Sequence, residues 1–89
     1  MSTKNTLKSF ITNYGTKIDG AFAFLLEGGE FSVAEAKRAG IRRPDDMIYR
    51  LRITGNEVFT NVRRDAAGNK IKRYRAAAYL RTAYAMGAL

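Results

Sequence analysis

A mainly α, α+β fold in a single domain is predicted for this chain by three features of its sequence. Successive stretches carry apolar residues at helical spacing, bounded by residues that start and stop helices; a later stretch switches to β-branched and aromatic residues around a turn; the tail returns to strong helix formers. A length of 89 residues supports one core. With 46% hydrophobic residues, that core can be packed, and disorder is not expected despite the charge.

Leu7, Phe10, Ile11 and Tyr14 share one helical face, and Ile18, Ala21, Phe22 and Leu25 continue the stripe. The run "YGTKID" interrupts it. Gly15 suits a C-terminal cap, and Thr16 followed by Asp19 has the form of an N-cap with an acid at the third helical position. Two helices are therefore predicted, over 4–14 and 17–27. "EGGE" ends the second, and Phe31 is read as a short extended residue that packs under the next segment of chain. "SVAE" is a capping box in which Ser32 and Glu35 exchange side-chain and backbone bonds. It opens a short helix over 33–39 with Val33, Ala36 and Ala39 inward, stopped by Gly40 in the left-handed conformation.

Ile41 plugs the gap to the next helix, 44–54, which Pro44 opens at the position where its missing N–H costs nothing. A helical wheel turns Met47, Ile48 and Leu51 inward, with Pro44 and Gly55 near the same meridian, and turns Arg42, Asp46, Tyr49, Arg50 and Ile53 outward. "EVFTNVRRD" and "KIKRYRAA" flank the turn "AAGN", which predicts a β-hairpin over 57–76 with Gly68 and Asn69 available for positive φ. Val58, Thr60 and Val62 alternate onto one face, where Ile71 and Tyr74 or its neighbours should meet them; the register stays open. The tail "AAAYLRTAYAMGAL" predicts a helix over 77–87, apolar on nearly every side with Arg81 its only charge. It is expected to pack on the N-terminal helix or on the same tail of a second subunit. Phe10, Tyr14, Phe22, Phe24, Tyr79, Tyr84 and Met86 read as core or interface.

The composition excludes much chemistry. Without cysteine or histidine there is no disulfide, no thiolate nucleophile, no zinc site of the Cys/His kind and no imidazole base. Asp45 and Asp46 are adjacent acids, but neighbours on a helix diverge by about 100° and do not converge on a metal ion. No catalytic residue, metal or cofactor is predicted, and an enzyme is not expected. "MSTKNTLKSFITNYG" lacks the apolar run of a signal peptide, and no 18 apolar residues occur together. The expectation is a soluble cytoplasmic protein without a membrane partner. A net charge of +8 matches a chain that meets phosphates.

Helix, short capped helix, tight turn, amphipathic helix, hairpin: this order is that of a winged helix-turn-helix, here with an extra N-terminal and a C-terminal helix around a core over 17–76. The stretch "FSVAEAKRAGI...MIYRLRITGNEVFTN" resembles small phage-type and plasmid-type helix-turn-helix proteins through Ser32, Glu35, Ala36, Gly40, Ile41, Ile48, Leu51, Arg52, Gly55, Val58 and Thr60, over about residues 20–75. Asn56 departs from that pattern, which usually places an aromatic there, and the hairpin carries more Arg and Lys than it requires. The resemblance implies binding of double-stranded DNA through the helix at 44–54, by a phage-related transcriptional regulator or architectural protein.

The residues expected at that interface are Arg42, Arg43, Asp46, Tyr49 and Arg50 on the helix, with Arg63, Arg64, Lys70, Lys72, Arg73 and Arg75 on the hairpin. Arginine can pair bidentately with guanine, and hairpin cations meet phosphates, although alternate residues must face opposite sides. The plainer reading of the hairpin is a soluble edge whose charges discourage strand pairing. Asp45 and Asp46 complement the helix N-terminus, and Asp46 precedes Arg50 by four residues, the favourable order for an ion pair. A homodimer through the terminal helices is expected. The competing reading is a winged-helix interaction module that binds and modulates a host nucleic-acid enzyme; RNA is a second candidate ligand.

Overall fold

The computed structural model describes residues 6–88. These form an α+β fold of five helices and a small antiparallel sheet: α1 (Leu7–Asn13), α2 (Lys17–Leu26), β1 (Phe31–Ser32), α3 (Val33–Arg38), α4 (Pro44–Ile53), β2 (Val58–Arg64), β3 (Lys70–Ala76) and α5 (Ala78–Ala85). The strand order is β1-β3-β2. Every predicted element is present with ends trimmed by a residue or two; residues 4 and 5 of the predicted first helix lie outside the described residues.

The break between α1 and α2 comes from capping. The Thr16 hydroxyl accepts from the Asp19 N–H at 3.2 Å, which starts α2. Tyr14 has already left α1 with an extended backbone, so Gly15 does not take the left-handed cap expected of it. The helices then approach closely at Gly20. A Cβ there would lie 2.6 Å from the Phe10 carbonyl oxygen and 2.8 Å from the Ile11 Cα, so only a residue without a side chain fits this crossing.

The capping box forms as the sequence predicts. The Ser32 hydroxyl accepts from the Glu35 N–H at 3.2 Å, and the Glu35 carboxylate accepts from the Ser32 N–H at 2.9 Å. Gly40, at φ 106°, ends α3. Its N–H donates to the Lys37 carbonyl and that of Ile41 to the Ala36 carbonyl, a Schellman closure that turns buried Ile41 back toward buried Ala36. The N-cap position of α4 holds Arg43, which makes no side-chain capping bond; Pro44 removes one orphan donor and the Asp45 carboxylate accepts the Asp46 N–H at 3.1 Å.

Pro44, Met47, Ile48 and Leu51 are the buried side of α4. Gly55, placed near that meridian by the wheel, is exposed instead, because the helix has ended at Ile53 and the wheel no longer applies. The core joins this helix to Leu25 of α2, Phe31 of β1, and Val58 and Tyr74 of the hairpin.

Strand register corrects the predicted hairpin. Val58, Thr60 and Val62 oppose Ala76, Tyr74 and Lys72, whereas Ile71 opposes Arg63 and therefore lies on the other face. Only Val58, Tyr74 and Ala76 are buried on the first face, and Thr60 and Val62 are exposed. The helices cover the base of the hairpin and leave its distal half in solvent. At the tip Gly68 adopts φ 86°, but Asn69 does not take positive φ; the Asp65 carboxylate holds the turn by accepting the Ala67 and Asn69 N–H groups at 2.9 Å each.

The tail packs within its own chain, and on α2, not α1. Leu80 and Ala77 of this segment are buried against Leu26, with Phe22 and Tyr84 alongside. The Tyr84 hydroxyl donates to Glu27 at 3.0 Å; that bond, with some burial and the nearby Tyr14, pushes its phenol up to about 12. The Tyr79 phenol is likewise raised, chiefly by its 2.9 Å bond to Glu57. No helix among the described residues is long and apolar enough to cross a membrane.

The Gly20 crossing gives a stability test. Gly20→Val drives a branched side chain into the α1 backbone, and thermal and chemical denaturation should report a loss of about 1–3 kcal/mol, the usual cost of overpacking.

Candidate nucleic-acid interface

Arg42, Tyr49 and Arg50 are exposed, as the wheel predicts, and so is Arg43, which the wheel does not place. Asp46 is only half-exposed, because its carboxylate meets the Arg50 Nε at 3.2 Å across one helical turn. The two adjacent acids thus do different work: Asp45 serves the helix N-terminus, and Asp46 orients an arginine. Arg42 and Arg43 make no ion pair among the described residues. Tyr49 and Ile53 are 60% and 63% exposed, although both are large and largely apolar.

Register divides the hairpin cations into two sets of three. Arg64, Lys70 and Lys72 share the face of Val58 and Tyr74, which is the face the helices cover at its base. Arg63, Arg73 and Arg75 lie on the opposite face. Arg52 of α4 fixes the first face relative to the helix: its Nε and Nη2 donate to the Val58 carbonyl at 3.0 and 2.8 Å, and Nη2 also donates to the Thr60 hydroxyl at 2.9 Å. These bonds tie the last turn of α4 to the base of β2.

The second set is largely used within the fold. Arg73 meets Glu30 at 3.2 Å and Glu35 at 2.8 Å and also donates to the Glu30 carbonyl. Arg63 meets the same Glu30 at 3.1 Å. Arg73 is only 26% exposed, so its guanidinium binds β3 to the segment that starts α3. Of the six hairpin cations expected at the interface, Arg73, and in part Arg63, answer the acids of the β1 junction. Arg64 donates to the Gly68 carbonyl at 2.8 Å across the tip. Lys70, Lys72 and Arg75 make no ion pair among the described residues, and Arg75 is half-buried beside its cross-strand partner Phe59.

An open groove of about 460 Å³ runs between α3 and β3, lined in part by Arg38, Lys70, Lys72 and Arg73. Arg38 escapes a reading of the sequence, since a single arginine on a short helix carries no pattern. Lys17 escapes it for the same reason. Its ammonium donates to the Gly40 carbonyl and ties the start of α2 to the turn between α3 and α4. Glu30 is conspicuous as an acid between glycines and an aromatic, but its partners lie more than thirty positions away.

No family model, curated protein or solved structure matches the chain.

The clamp at Arg73 separates structural cations from free ones. Arg73→Met should lower unfolding stability by about 1–2 kcal/mol, the range of hydrogen bonds to charged groups discounted for partial exposure. Lys72→Ala should leave the denaturation midpoint essentially unchanged. Loss of stability by the lysine variant, or none by the arginine variant, would reverse the assignment.

Proposed function

We propose that the chain is a winged helix-turn-helix protein that binds double-stranded DNA, with α4 in the major groove and the hairpin as the wing. The order α2, β1, α3, α4, β2, β3 and the two-residue strand that joins β3 support the fold reading. One observation carries the functional reading: exposed cations stand both at the head of α4 and on the wing, two elements that Arg52 ties together. Of these, Arg42, Arg43, Lys70 and Lys72 make no ion pair among the described residues. A cationic helix fits the major groove, while Lys70 and Lys72 extend to phosphates beside it. Regulation of transcription, in a phage-type setting, is the role most in keeping with such a surface.

Dimerisation is part of this proposal, but α5 is not free to drive it by its whole surface. Leu80 is used against α2, which leaves Tyr79 and Met86 as the exposed large apolar residues of this segment. The competing interaction-module reading puts the apolar tail and the Asp45–Asp46 pair in a protein interface; within the fold the tail packs on α2, and Asp46 holds Arg50.

Binding to random duplex DNA should weaken steeply with salt, and Lys70→Ala or Lys72→Ala should each reduce the magnitude of the log–log slope by about 0.9. Duplex RNA of the same length serves as competitor. Absence of duplex binding at low salt would refute the reading. A second measurement concerns Asp46. Because its carboxylate orients Arg50, Asp46→Ala should relax selectivity among DNA sites by roughly fivefold or more, within the discrimination expected of one well-placed base contact. Tighter and equally selective binding by this variant would reduce Asp46 to a helix-end charge.

A further inference from the structure

The outward side of α4 is not uniformly cationic. At about 100° per residue, the meridian opposite Pro44, Met47, Ile48 and Leu51 passes through Asp46, Tyr49 and Ile53. Arg43 and Arg50 lie on one flank of that line, and Arg52 lies on the other, turned to β2. Its two large side chains stand at i and i+4, 60% and 63% exposed, and Tyr49 has no aromatic partner among the described residues. The core does not need them, and they form a ridge with positive charge beside it.

A helix seated in a major groove brings flanking cations to the phosphate walls and its outermost line to the base edges. The apolar group on those edges is the thymine 5-methyl. We propose that Tyr49 and Ile53 form a thymine-reading ridge that packs on 5-methyl groups, while the Asp46–Arg50 pair beside it contacts polar base edges. This rests on the duplex-DNA reading of α4. Four residues advance a helix by about 6 Å, a little under two base-pair steps of roughly 3.4 Å. Preferred sites therefore carry two thymines about two steps apart.

The test begins with selection of bound fragments from random duplex DNA, followed by replacement of the enriched thymines with deoxyuridine, which removes only the methyl group. The wild-type chain should lose affinity about fourfold per methyl, the factor equivalent to burying one such group. Ile53→Ser and Tyr49→Ser are surface changes; each should keep the thermal midpoint and the salt slope but lose the thymine preference at one position. Equal affinity of the wild type for thymine and deoxyuridine duplexes, with duplex binding and its salt slope intact, would overturn the ridge and leave the DNA reading standing. No enrichment of thymine in the selected fragments would overturn it in the same way. Failure to bind any duplex at low salt would overturn both.

Discussion

The buried ring of Phe31 is the contact on which the arrangement depends. It is 1% exposed and sits where helices and sheet meet, with ring centroids 6.0 Å from Tyr74 of β3 and 6.3 Å from Phe24 of α2. The backbone around it pairs Phe31 with Tyr74 and Ser32 with Arg73, and the next step along the chain is the cap of α3. Three kinds of structure therefore meet within two residues: the hydrophobic core, the third strand and a helix start. Burial of an aromatic side chain of this size is worth several times a single exposed ion pair. Glu30 and Glu35 flank the same point and draw in Arg73, so charge and apolar burial fix the same geometry.

That junction explains why the basic surface is not uniform. Strand alternation sends half of the hairpin cations to each face, and the acids of the β1 segment capture Arg63 and Arg73 on the outer face. The helix-side set has no comparable acids. Arg52 uses its guanidinium on backbone and hydroxyl oxygens of β2, so the angle between α4 and the hairpin is set by hydrogen bonds as well as by Val58 in the core. The consequence is a separation of roles among residues of one charge: Arg73 and Arg52 build the frame, and Arg42, Arg43, Lys70 and Lys72 are left to solvent or a ligand.

Much of the local structure was legible in the residues. The Ser32 and Glu35 box, the Gly40 stop, Pro44 at the opening of α4 and the inward set Met47, Ile48 and Leu51 are short-range features, decided within one or two helical turns. The Asp46–Arg50 pair is of the same kind. The hairpin was legible as an element but not in its register, and Ile71 faces away from the side that alternation with Val58 suggests. β-pairing between strands of mixed charge and apolar character allows slips that only the buried pairs Val58 with Ala76 and Phe31 with Tyr74 exclude.

By itself, then, the sequence determined where helices start and stop, which side of α4 is buried, and that the chain is basic enough to meet phosphates. Those properties depend on neighbours three or four positions apart and on composition. Tertiary structure decided the crossing of α1 over Gly20, the docking of α5 on α2, the choice of which arginines are bound by Glu30, and the tie of Arg52 between α4 and β2. Each of these joins segments many residues apart, so each depends on chain topology and on competition among burial, hydrogen bonding and charge. No local pattern encodes that competition.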